Sequence, residues 1–263
     1  MRTFISFALA LLAAPALLPA QNRDDFRWEK ALAAGQTVRV HNVNGDITVT
    51  PSTSGRVEIV GVKRGSTRYY DDITAEVHET GDGIVVCVVW RDAGDECDDR
   101  GYHGRRHGDD GNRWDRVRMD LAVKLPSAVE ISAGSVSGNV SVVGAQGVVR
   151  ASSVSGDVRL ERLRASSVRA SSVSGEVSAM IEALTGSGSL SFRSVSGDVV
   201  LELPRGLDAD LSMSSVSGQL DSDFQMTLGG RMSRRRIEAR IGKGGRDLDI
   251  STVSGDVRLR MAK

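Results

Sequence analysis

One four-residue motif recurs through this chain in a fixed register, and it limits the folds open to it more than any other feature. Ser-Val-Ser-Gly or a close variant occupies Ser135–Gly138, Ser153–Gly156, Ser172–Gly175, Ser194–Gly197, Ser215–Gly218 and Thr252–Gly255, with a degenerate copy, Asn42-Val-Asn-Gly45, upstream. From Gly138 to Gly218 the repeat glycines lie 18, 19, 22 and 21 residues apart, and Gly218 to Gly255 is 37, about two periods. Short units at such a period cannot bury an apolar face alone, but they form a continuous core when stacked.

Counting from each glycine, position −2 is always Val, +2 is Ile, Val or Leu, and +4 is apolar except at Ser222. These positions share parity, so the pattern predicts that they face one side of a strand, with serines at −3 and −1 on the other. A second apolar pair stands at −7 and −5: Val38/Val40, Ile131/Ala133, Val149/Ala151, Val168/Ala170, Leu190/Phe192, Leu211/Met213 and Leu248/Ile250. The odd step from −5 to −2 predicts a change of phase at the small residues between them, as at a bulge or corner. Glycine at zero suits a tight bend or a close backbone approach.

The fold expected is all-β: a repetitive β-solenoid or β-roll with coils of ~18–22 residues over 129–263, preceded by a less regular antiparallel β region. An antiparallel sandwich competes, but it has no need of this register. In the first half, Thr37–Thr50, Arg56–Lys63, Ile73–Thr80, Ile84–Trp90 and Arg116–Leu125 read as strands capping the solenoid, and Asp24–Ala34 as a possible short helix. Between Gly218 and Gly255 a divergent coil and an inserted hairpin fit equally well, with Gly242–Gly245 as a hairpin turn before Arg246–Ser251.

Composition agrees. The chain of 263 residues has 29 glycines, 40% hydrophobic and 26% charged residues, and only 4% aromatics, which excludes disorder and collagen and disfavours a helical globule. Lys+Arg and Asp+Glu balance at 34 each, leaving no basic field for nucleic acid. Residues 1–20 read as a secretory signal: Arg2, an apolar run from Phe4 to Leu18, and Leu18-Pro-Ala20 before the polar Gln21. The expected organisation is this signal, a lead-in at 21–36, a β region at 37–128, and the repeats at 129–263, either separate from 37–128 or continuous with it. The expected product is exported to the periplasm or cell surface, with no stable transmembrane segment after cleavage.

Export gives Cys87 and Cys97 meaning, because an even pair in an oxidising compartment predicts a disulfide closing the loop after Ile84–Trp90. Residues 91–116 then form a charged loop of eight acids, six arginines, His103 and His107. Its glycines oppose a helix that would align the two histidines on a metal, so it reads as a solvated hairpin tip. The +1 residues Asp46, Asp157, Glu176, Asp198 and Asp256, with Asn139 and Gln219, would stack into a ladder. Ca²⁺ is one reading of it; the turn preference of Asp after Gly is the simpler one.

Gly134-Ser-Val-Ser-Gly138 has Val136 where a nucleophile elbow has serine, and His41 and His78 lie in strand patterns without a recognisable catalytic set. No nucleotide-binding or zinc signature occurs. We therefore expect no catalytic, cofactor-binding or metal residues. The singled-out positions are Cys87 and Cys97, and the repeat glycines Gly45, Gly138, Gly156, Gly175, Gly197, Gly218 and Gly255.

The segments Ser152–Leu160, Ser251–Leu259 and Val40–Val49 resemble the DUF4097 family, a β-solenoid-like domain of bacterial cell-envelope proteins often labelled adhesins. The resemblance covers about Thr37 to Leu259. It implies a non-enzymatic adhesin-like or scaffold role, with an envelope protein, a glycan or a second copy as partner, and it carries over no catalytic residues. The segment Arg91–Arg116 is particular to this chain. A carbohydrate-active solenoid enzyme and a Ca²⁺-dependent surface module are the alternatives.

Overall fold

A computed structural model describes residues 25–104, 116–229, 233 and 235–262; the signal segment and His107 lie outside the described residues. The first strands are β1 (Phe26–Lys30), β2 (Thr37–Asn44), β3 (Ile47–Pro51), β4 (Val57–Gly65), β5 (Ile73–Thr80), β6 (Gly83–Trp90), β7 (Glu96–Asp98), β8 (Gly101–His103) and β9 (Val117–Leu125). The middle of the chain forms β10 (Glu130–Ser137), β11 (Val140–Val143), β12 (Gln146–Ser155), β13 (Val158–Ser172), β14 (Val177–Leu184), β15 (Leu190–Ser194) and β16 (Val199–Leu203). The last part forms β17 (Ala209–Ser215), β18 (Leu220–Ser222), β19 (Met226–Leu228), β20 (Arg236–Ile241), β21 (Asp247–Thr252) and β22 (Val257–Met261).

These strands build a β-solenoid with two parallel ladders. One runs β6, β2, β10, β12, the second half of β13, β15, β21 and β17. The other runs β9, β3, β11, the start of β13, β14, β16, β22 and β18. Each coil passes from the first ladder to the second through the repeat motif. Because coils stack in register, like residues form columns: Val38, Ile131, Val149, Val168, Leu190, Leu248 and Leu211 align, each 3% exposed or less. The −7, −5, +2 and +4 positions are buried throughout, except for half-buried Leu220 and Ser222 in one coil.

The −2 valines are not in this core. Val136, Val154, Val173, Val195, Val216 and Val253 are 44–55% exposed, while the −3 residues Ser135, Ser153, Ser172, Ser194, Ser215 and Thr252 are 2–5% exposed. The strand keeps one phase through −7, −5 and −3, so Val149, Ala151 and Ser153 all point inward. The odd step falls across the glycine, between −3 and +2, and not at −4 and −3 as the apolar pattern predicts. Hydrophobicity is overridden here by a hydrogen bond that only the small polar side chain makes, described below.

Within the main sheet, antiparallel pairing is confined to the ends. β5 covers β6, and β4 covers β9 with β1 outside it. At the other end β20 covers β17, with β19 outside it. The first half is thus mixed: β2 and β3 are a full coil, parallel to β10 and β11, and do not cap it. Phe26–Lys30, read as helix from sequence, is a strand on β4, where its alternating apolar and charged residues suit an edge.

Two further differences lie near the C-terminus. The coil Asp247–Met261 is inserted between the coils Leu190–Leu203 and Ala209–Ser222, so the last two coils stack in reverse sequence order. The turn Gly242–Gly245 joins strands on either side of β17 and is not a hairpin; Gly242, Gly244 and Gly245 take positive φ to make that crossing.

Candidate functional site

The corner that joins the two ladders is built of four stacked columns. Repeat glycines form the first. A Cβ on Gly156 would lie 2.3 Å from the carbonyl oxygen of Gly138, and the corresponding gaps at Gly138, Gly175, Gly197 and Gly255 are 2.0–2.2 Å, each to the glycine one coil away. Gly218 would meet the Gly255 oxygen at 1.8 Å, as the reversed coil order requires. Gly45, at φ +128°, would meet the Met119 oxygen at 2.2 Å. Stacking of backbone on backbone is what excludes a side chain here.

The −3 column satisfies those same carbonyls. Ser153 Oγ donates to Gly138 O at 2.8 Å, Ser172 to Gly156 at 2.8 Å, Ser194 to Gly175 at 2.9 Å and Thr252 to Gly197 at 2.9 Å. In the first copy Asn42 replaces serine, and its Nδ2 reaches both Gly45 O (3.1 Å) and Met119 O (2.8 Å). The longer amide fits a junction where the neighbouring coil has no repeat glycine.

The +1 column is the acid–amide ladder. Side-chain oxygens of Asp46, Asn139, Asp157, Asp198 and Asp256 each accept from the backbone N–H of the +1 residue one coil on, at 2.8–2.9 Å. The Asp256 N–H and the Arg258 guanidinium hold the Asp198 carboxyl below its ordinary range. The ladder is bonding between coils. Among the described residues no three His, Cys, Asp or Glu side chains gather so as to hold a metal ion. His103 lies 2.9 Å from Asp98 at the tip of β8.

The valine column forms an exposed ridge. Inter-coil backbone hydrogen bonds run through it, from Ser174 N to Val154 O and from Ser196 N to Val173 O, both 2.8 Å, so the ridge is rigid. The order of glycine contacts sets its sequence: half-buried Val43, then the exposed Val136, Val154, Val173, Val195, Val253 and Val216. Sequence reasoning missed this surface because a recurrent valine was taken for core. The signal that could have revealed it is the shared parity of −7, −5 and −3.

The charged segment connects β6 to β9, the step at which other coils use the repeat, and its described part, 91–104, sits at this corner. Cys87 and Cys97 are joined in a disulfide, with Cα atoms 5.8 Å apart, which lays the β7–β8 hairpin over the outer face of β6. Val85, Cys87, Val89 and Cys97 make a second small core with Tyr102 packed on it, which accounts for the unbroken burial of β6. Tyr102 Oη donates to Asp95 at 2.8 Å, and burial together with that carboxylate raises the phenol well above its ordinary value.

Between hairpin and ridge lies a trough of about 450 Å³. Gly134, Ser152 and Ser171 form its floor, Val136, Val154 and Val173 its wall, and Arg100 and Tyr102 close one end beside His41. Burial, and then the charge of Arg39, pushes the His41 imidazole below its usual pKa.

No helix of the described residues is long and apolar enough to cross a membrane. Among curated proteins, none matches the sequence. The fold is similar to that of a putative cell adhesion protein from Clostridium sporogenes ATCC 15579, at TM-score 0.51 and 8% identity, covering 90% of this chain and 99% of that one. A putative adhesin from Bacteroides fragilis NCTC 9343 aligns at TM-score 0.43 and 14% identity, covering 89% and 95%. The Toastrack DUF4097 family profile matches residues 52–260, most of the solenoid and its first cap, and the chain belongs to that family.

Proposed function

We propose that the protein is an exported, non-enzymatic adhesin-like module of the cell envelope, in the periplasm or at the surface, that binds through the repetitive corner of its solenoid. The valine ridge carries this reading. The other 26 valines are buried or half-buried, yet these six stand in register at 44–55% exposure, held rigid by backbone bonds. Contiguous apolar surface of this kind marks interaction sites. Family membership and the name of the Clostridium structure support adhesion. Commitment of the ladder acids to backbone N–H groups supports a role without catalysis.

The partner is an envelope protein, a glycan or a second copy meeting the ridge. The test is co-sedimentation of the purified chain with isolated cell envelopes. The variant Val136→Ser/Val154→Ser/Val195→Ser/Val253→Ser is expected to lose at least about tenfold in retained protein with an unchanged far-UV spectrum, since exposed valines contribute little to the fold. Equal retention of the two proteins would contradict the reading.

A further inference from the structure

The outer face of the first ladder repeats a three-residue pattern beside the ridge. At −6, −4 and −2 the coil of β12 presents Arg150, Ser152 and Val154, and the next coil presents Arg169, Ser171 and Val173 in register with them. Residues two apart along a strand are separated by roughly 6.6 Å, and coils by roughly 4.8 Å, so this is a strip of cation, hydroxyl and methyl groups two adjacent coils wide. Arg150 and Arg169 are direct cross-strand partners and both are exposed. Like charges placed so repel each other. Among the described residues neither side chain has an ion pair or hydrogen bond, whereas Arg39 of the same column pairs with Asp82, and Arg193 pairs with Asp249. The serines and valines of the strip are floor and wall of the 450 Å³ trough, and Arg100 stands at its far end.

We propose that the trough and the strip beside it together bind an acidic polysaccharide, with Arg150 and Arg169, two residues along the strand from Ser152 and Ser171 of the trough lining, receiving its carboxylate or sulfate groups. A guanidinium offers a planar fork that matches either anion. The serine hydroxyls can exchange hydrogen bonds with sugar hydroxyls, and the valine wall accepts the C–H faces of the rings. The match between the two adjacent coils lets two neighbouring units of a polymer meet equivalent groups. Among the described residues, Tyr102 and His41 are the only rings lining the trough, too few to stack a run of nucleic-acid bases. This assignment rests on the envelope-binding reading and names its ligand class.

The test uses the purified full mature chain with four probes: polygalacturonate, dextran sulfate, neutral dextran and poly-L-glutamate. The chain is expected to bind one or both acidic polysaccharides, to ignore dextran, and to bind less as salt rises. Arg150→Gln/Arg169→Gln is expected to weaken binding at least about tenfold. Arg236→Gln/Arg240→Gln, at the other end of the solenoid, removes the same charge and is expected to change it less than about twofold. Unchanged binding by the first variant, equal loss in the second, or a preference for dextran or poly-L-glutamate would each overturn the proposal. The two readings separate cleanly: loss of polysaccharide binding in the arginine variant supports this assignment even if the valine variant still sediments with envelopes. An arginine variant that keeps polysaccharide binding overturns the assignment alone.

Discussion

Ser153 Oγ donates a 2.8 Å hydrogen bond to the carbonyl oxygen of Gly138, one coil away, from a position only 5% exposed. The contact explains why a small polar residue recurs where parity puts the chain's interior. Ser153→Ala takes this donor from a half-buried carbonyl, and the expected loss is about 1–2 kcal/mol in urea unfolding. Val154→Ser, one residue on, is expected to stay within about 0.5 kcal/mol because its side chain faces solvent.

Gly156→Ala is expected to be more disruptive than its size suggests. The new Cβ would sit 2.3 Å from a backbone oxygen that cannot move without shifting a neighbouring coil. A loss of about 1–3 kcal/mol follows from overpacking. Gly206→Ala, with nothing within 4 Å, is the control and should unfold within about 0.5 kcal/mol of the parent.

The architecture was legible because it is periodic. The −7/−5 and +2/+4 columns could be read from sequence, and the structure buries them as the period requires. Which way −2 and −3 face was not legible, since the Ser153–Gly138 bond joins residues of different coils and no hydropathy pattern encodes it. The insertion of Asp247–Met261 ahead of Ala209–Ser222 was hidden for a related reason: parallel coils with similar side chains are nearly interchangeable, and β19–β20 and the glycine turn decide the order. The trough escaped notice because its parts come from β2, β8, β10, β12 and β13.

Removal of the disulfide tests the expanded corner. Cys87→Ser/Cys97→Ser opens a ten-residue closure and takes the clamp from the hairpin over β6. The expected loss is about 2–3 kcal/mol. Amide exchange is expected to quicken first in Glu96–His103, with Val149 and Val168 still protected.

Acid acts on the same region through His41. Burial is the larger cause and Arg39 the smaller in holding its pKa below the ordinary 6.5. Above that value both folded and unfolded chains carry neutral imidazole, and His41 adds no pH dependence. As pH falls through about 6.5, the unfolded chain takes up a proton that the folded one does not, so stability declines until the folded pKa is passed. His41→Gln is expected to flatten the melting-temperature profile just below about pH 6.5 and to leave it unchanged above that pH.

The central claim is that each repeat turns its valine outward and its serine inward, which creates the ridge and fixes the coils to one another. Thiol labelling of two adjacent single-cysteine substitutions, Ser153→Cys and Val154→Cys, tests it most directly, with the native Cys87–Cys97 disulfide left intact. Under native conditions Val154→Cys is expected to react at about the rate of an exposed thiol, and Ser153→Cys at least about tenfold more slowly. Equal rates, or faster labelling at position 153, would contradict the account.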